Sequence, residues 1–194
     1  MRTFLVLLAG WLAGAAILVA LSVGRGGEAH AAPLPVIART NAAILVPVLG
    51  VQAAALRDTY EQARSGGRAH HALDIMAPRG TPVVAAVDGT IRKLFFSRGG
   101  GLTIYEFDAR EERVYYYAHL DHYQSGLSAG REVHKGDTLG FVGTTGNAPK
   151  DVPHLHFQIM LWPADGKYWI GEPVNPYPVL RGAIASGAVR LRFD

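Results

Sequence analysis

The order of residues predicts a mostly β domain, an antiparallel sheet or sandwich with a groove over the sheet and one short N-terminal helix. Three observations carry this. From Leu73 onward the chain is a series of short runs rich in Val, Ile, Phe and Tyr, the residues that fit a pleated, half-buried surface. Turn material separates them: "APRG", "DG", "SRGGG", "DAREE" and "TTGNAPKDVP". Glycine supplies 23 of the 194 residues, which favours many tight turns over long helices.

Taken in order, residues 4–23 form an uncharged apolar run behind Arg2, and "EAHAAP" follows. This is the pattern of a secretory leader, with Ala29-His30-Ala31 as a cleavage site. The run is also about long enough to span a bilayer, so 1–31 is read as a signal peptide or a single-span membrane anchor. Both readings deliver the rest of the chain outside the cytoplasmic membrane, to the periplasm or cell envelope. Residues 32–45 read as a linker with Pro33 and Pro35. The Ala-rich stretch 51–64 has helix propensity and stops at Ser65-Gly66-Gly67, so one helix is expected there. The strands expected next are "LDIM", "TPVVAAV", "TIRKLFF", "LTIYEF", "RVYYYAH", "TLGFVG" and "HLHFQIM". Asp88-Gly89 and Gly99-Gly100-Gly101 are hairpin-like breaks. The domain spans 46–180, and 181–194 is a tail.

Bulk composition narrows the chemistry. The chain has no Cys, which excludes disulfides, thiolate metal sites and a Cys nucleophile. A formal charge of +3 is too small to argue for nucleic acid.

The chemistry is concentrated in histidine. In "HLHF", His154 and His156 are two apart in a strand and so stand on one face. "RAHHALD" contains His70-x-x-x-Asp74. Imidazole and carboxylate oxygen are both good zinc ligands. Two His and one Asp, counting one His of the HLHF strand, would leave a fourth position for water, as catalytic zinc requires. There is no His-Glu-x-x-His, so a proton-handling base must come from elsewhere, and the spare His are its natural source.

Four blocks in order, "GRAHHALDIMAPRGTPVVAAVDGTI", "YYYAHLDHY", "GREVHKGDTLGFVGTTGNAP" and "PHLHFQI", resemble the LytM/lysostaphin-type zinc endopeptidases of bacterial cell walls. The resemblance covers about 46–180. It implies that His70, Asp74 and His156 hold one Zn2+, that His119 and His154 are the catalytic pair, and that the substrate is peptidoglycan peptide. One departure is Ala72, where the family commonly has Gly; Ala is a poor fit only if the backbone there needs positive φ.

Other residues carry less. Tyr117, Asn147 and Arg68 are candidate substrate contacts, and a monomer is expected. His71 should point away from the ligands, and His122 and His134 sit in solvated turns. "GREVHKGDTLG" resembles the hairpin of lipoyl and biotinyl carriers but is read as structural. Two other functions fit parts of the pattern: a non-catalytic envelope regulator using the same groove, and a phosphocarrier-like domain. Export removes the phosphodonor that the last would need.

Overall fold

The computed structural model describes residues 44–162 and 166–182. The apolar run, most of the linker and nearly all of the tail lie outside them. No helix among the described residues is long and apolar enough to cross a membrane.

The fold is a nine-stranded sheet in which every pairing is antiparallel. Its strands are β1 (Leu73–Met76), β2 (Pro82–Val84), β3 (Gly89–Ser97), β4 (Gly101–Asp108), β5 (Arg113–Tyr123), β6 (Glu132–Val133), β7 (Thr138–Val142), β8 (His154–Leu161) and β9 (Pro173–Val174). The main path runs β1-β8-β5-β4-β3-β6, with β7 joining β5 to β2. The seven expected runs all become strands; β6 and β9, two residues each, have too little sequence to announce themselves. Gly99 to Gly101 do turn β3 into β4, but Asp88-Gly89 is no hairpin, because β2 pairs with β7 and β3 with β4 and β6.

Period-2 alternation sorts the two faces of the central strands. Leu73, Ile75, Tyr115, Tyr117, Leu155, Phe157 and Ile159 are 0–1% exposed and join the main core. Fully burying one such side chain contributes about 1.5–3 kcal/mol. The opposite face of β1 and β8 carries Asp74, His154 and His156, with Asp74 directly across from His156.

The expected helix over 51–64 does not form. Among the described residues the one α-helix, α1, is Pro176–Leu180, N-capped by the Asn175 side chain, which accepts from the Tyr177 amide at 2.9 Å. Only Ala53–Ala55 make a single 3-10 turn. A helix must offset a costly nucleus by burying an apolar stripe, and here Leu56 is the one residue of this stretch that is buried. Residues 57–64 instead run as an irregular strap beside β1, bonded to it through Thr59. The domain also begins slightly earlier than the linker reading allowed: Ile44 packs on the core and the Leu45 amide donates to Ala86 O at 2.9 Å.

Candidate metal centre and cleft

Three elements meet at Asp74. Strand β1 presents its carboxylate, 14% exposed, on the face opposite the core. The turn before β1 brings His70, and β8 brings His156. One atom from each, His70 Nε2, His156 Nδ1 and an Asp74 oxygen, lie within 4.8 Å of one another. Asp74 Oδ1 is 3.1 Å from His70 Nε2 and 3.3 Å from His156 Nδ1. It is buried and has no hydrogen-bond partner.

The protonation pattern follows from the partners. His70 Nδ1 lies 2.9 Å from Thr59 O. A carbonyl can only accept, so Nδ1 carries a proton there and Nε2 is the ring nitrogen turned toward Asp74. That Nε2 faces His156 Nδ1 at 2.9 Å. An orphaned buried carboxylate oxygen beside two converging ring nitrogens is a donor set that a divalent cation satisfies. Burial alone would raise the Asp74 pKa, but the His156 and His70 imidazoles outweigh it when they carry a proton toward the carboxylate, and then hold the carboxyl well below its usual range. Burial lowers the pKa of His156.

Two more imidazoles border the three. His154 is buried, with Nδ1 2.8 Å from Val152 O and Nε2 3.8 Å from Asp74 Oδ1. His119 is 7% exposed, and its ring lies 5.0 Å from that of His154 and 5.6 Å from that of His156. Strict alternation after Tyr117 would send His119 into the core. A β-bulge prevents this. Between the pairs Leu102↔Leu120 and Ile104↔Tyr117, β5 holds two residues, Ala118 and His119, against the single Thr103 of β4. His119 takes φ 61°, and its Nδ1 donates to Thr145 O at 2.9 Å. Burial pushes its pKa down to about 4, so the ring is neutral.

Two glycines let the bulge lock. Gly101 and Gly146 have φ of 67° and 73°, and a Cβ on Gly146 would lie 2.3 Å from Gly101 N. This close approach lets Thr145 Oγ1 donate to Leu120 O at 2.7 Å and accept from the Leu102 amide at 3.0 Å. Thr59 is the second residue that sequence reasoning missed. Its carbonyl takes His70 and its Oγ1 accepts from the Asp74 amide at 3.0 Å. The sequence signal for either was slight, since a lone Thr in a strap or turn looks like any other.

The remaining candidates separate. Tyr117 does not line the cleft: it is fully buried, accepts from the Ala86 amide at 3.0 Å and donates to Glu106. Its neighbour Tyr116 is the tyrosine on the metal-centre face, with its ring 6.1 Å from that of His156. Arg68 and Asn147 are exposed. The arginine beside Asp74 is Arg64, whose guanidinium pairs with Oδ2. His71 holds φ 54° and packs its ring 5.3 Å from Tyr60; Ala72 needs no positive φ. His122 and His134 are exposed. A cleft of about 960 Å3 opens beside the centre, lined by Arg57, Thr59, Arg64, Met76, Val152 and His154 among others.

Residues 68–176, more than half of the chain, match Peptidase family M23. The chain belongs to this family. The match contains His70, Asp74, His119, His154 and His156. The chain is 32% identical over 160 residues to an L-Ala--D-Glu endopeptidase of Bacillus subtilis, covering 78% of this chain and 43% of that protein. It is 32% identical over 94 residues to the peptidoglycan DD-endopeptidase ShyC of Vibrio cholerae, covering 48% and 21%. It thus spans less than half the length of these curated relatives. Among solved structures, the catalytic domain of lysostaphin from Staphylococcus simulans superposes with a TM-score of 0.56 at 28% identity, over 66% of this chain and 95% of that one. A putative glycyl-glycine endopeptidase lytM of Ruminococcus gnavus gives 0.56 at 34%, over 66% and 53%.

Proposed function

We propose that this M23 chain is an exported zinc-dependent endopeptidase that hydrolyses peptide bonds in the stems or cross-links of peptidoglycan. The observation that carries the reading is the convergence of His70 Nε2, His156 Nδ1 and the orphaned Asp74 Oδ1. Two imidazoles and one carboxylate are the ligand set of an open catalytic zinc, and would hold one ion. Bound zinc would polarise the scissile carbonyl and make water acidic enough to attack at neutral pH. The apolar leader-like run supports export to the envelope, and the names of the relatives support a wall substrate.

The chain's own residues supply the proton traffic. His154 has its Nδ1 proton tied to Val152 O, which leaves Nε2 bare at the edge of the cleft. That nitrogen can take a proton from the attacking water and return it to the leaving amine. His119, anchored in the same way on Thr145 O, offers a second bare nitrogen across from it. Once protonated, either ring places an N–H beside the oxyanion that develops on the carbonyl. Arg68 and Asn147, both exposed, are the proposed substrate contacts; Asn147 is on the loop that carries the cleft-lining Pro149. A purely regulatory role would make the two catalytic His dispensable, yet each is buried and individually anchored.

The test is digestion of purified cell wall by the zinc-loaded domain. Muropeptides are expected to appear, to vanish with a chelator, and to return with zinc. Mass spectrometry of the products identifies the bond. No release at any zinc loading overturns the proposal.

A further inference from the structure

We infer that Arg64 is a positioning residue of the metal centre, acting through Asp74. The inference rests on the zinc reading above and concerns a residue outside the five that it uses. The Arg64 guanidinium pairs with Asp74 Oδ2, which leaves Oδ1 alone to face His70 and His156. Rotation about χ2 of an aspartate is broad and nearly two-fold, so pinning one oxygen sets the direction of the other. The carboxylate is 14% exposed, and a charge that far from water must be paired. A planar guanidinium is the cation suited to the task.

The backbone explains why this arginine and not Arg68 arrives there. Residues 62–70 double back on themselves: the His70 amide donates to Gln62 O at 3.0 Å and the Arg64 amide to Arg68 O at 2.8 Å, with a bridge between Ala63 and Ala69. Gly66 and Gly67, at φ 79° and 71°, make the reversal. One turn therefore delivers His70 to Oδ1 and Arg64 to Oδ2 of the same carboxylate, while Arg68 faces solvent. Arg64 Nε is buried and makes no hydrogen bond, while its terminal nitrogen makes the Asp74 contact.

The experiment measures zinc affinity by competition with a chromophoric chelator, for the parent, Arg64→Gln and Arg64→Lys. Partners of metal ligands typically contribute 10–100-fold to metal affinity. Arg64→Gln is expected to weaken zinc binding at least tenfold, and Arg64→Lys, a point charge without the fork, by less. Turnover of both variants should return to within threefold of the parent once zinc is saturating. Thermal unfolding of the zinc-free proteins reports folding, and the Lys variant carries the test if the Gln variant is unfolded. Zinc affinity within twofold of the parent in a folded variant overturns the inference. So does a turnover defect that persists at saturating zinc, which would make Arg64 a substrate contact instead. A parent that binds no zinc sinks the functional reading itself, and is seen before any variant is compared.

Discussion

The two faces of β5 and β8 both carry tyrosine, with opposite fates. On one face Tyr116, His154 and His156 gather around the proposed ligand cluster; on the other Tyr115, Tyr117, Leu155 and Phe157 are 0–1% exposed. Tyr116 and Tyr117 are chemically identical neighbours. One has its ring 6.1 Å from that of a proposed ligand, and the other is sealed into the core with its hydroxyl on Glu106. Register decides function here, since a shift of one residue exchanges the faces. The bulge at His119 makes the same point, because it moves one side chain across the sheet and leaves Leu120 in the core.

The sharpest break of that contrast is on the metal-centre face. His156→Ala should leave a folded domain that holds no zinc and has no activity above background. His154→Ala, two residues away on the same strand, should hold zinc and lose about 10²–10⁴ in turnover, the usual size of a proton-transfer contribution. Metal content per chain, measured beside muropeptide release, separates the two. If zinc also leaves the His154 variant, the division between ligand and proton carrier is wrong.

The crossing point between the faces comes next. Gly146→Ala places a methyl 2.3 Å from Gly101 N on a backbone at φ 73°. The loop must shift, and with it Thr145, whose carbonyl aims His119. A displacement of about 1 Å at a catalytic group can cost about 100-fold. Turnover is expected to drop about 10–100-fold with zinc content unchanged. Retained turnover would show that His119 does not depend on this lock.

How much of this was legible in the sequence differs along the chain. Strands such as "HLHFQIM" and "LDIM" announce themselves because alternation is a local property, and it placed His154 and His156 on one face; that Asp74 joins them depends on the pairing of β1 with β8. The strap over 57–64 was illegible. Its residues have helical propensity, but Thr59 and Arg64 find their partners in β1 and the turn before it, and those contacts override it. The arginine singled out in the sequence was Arg68, as a substrate contact, and the reversal over 62–70 brings Arg64 to Asp74 instead. Tyr117 was misassigned to the cleft because three consecutive tyrosines give no clue to which face the odd one takes. The side of the sheet is set by pairing with Ile104 and Phe157, far away in sequence.

The mildest perturbation belongs to the core face. Glu106 is fully buried against Tyr117, and burial raises its pKa to about 8 even though the Tyr117 hydroxyl opposes the shift. The carboxyl is therefore neutral in the folded domain at pH 7, whereas in the unfolded chain it ionises near its ordinary value of 4.5. The folded state thus binds the extra proton between those two values. Its stabilising effect is fully present below the lower one and is lost as pH rises toward about 8. One proton gives a slope of about 1.4 kcal/mol per pH unit. Glu106→Gln keeps an acceptor for Tyr117 and removes the titration. Relative to the variant, the parent should lose on the order of a few kcal/mol between pH 5 and pH 8 in urea unfolding, while the two turn over substrate within twofold at pH 7. Because the other titrating groups are common to both proteins, the difference isolates this one carboxyl. Parallel stability curves would mean that Glu106 is ionised in its pocket. A large loss of turnover would mean that the core face reaches the metal centre after all, and the separation of the two faces would fail.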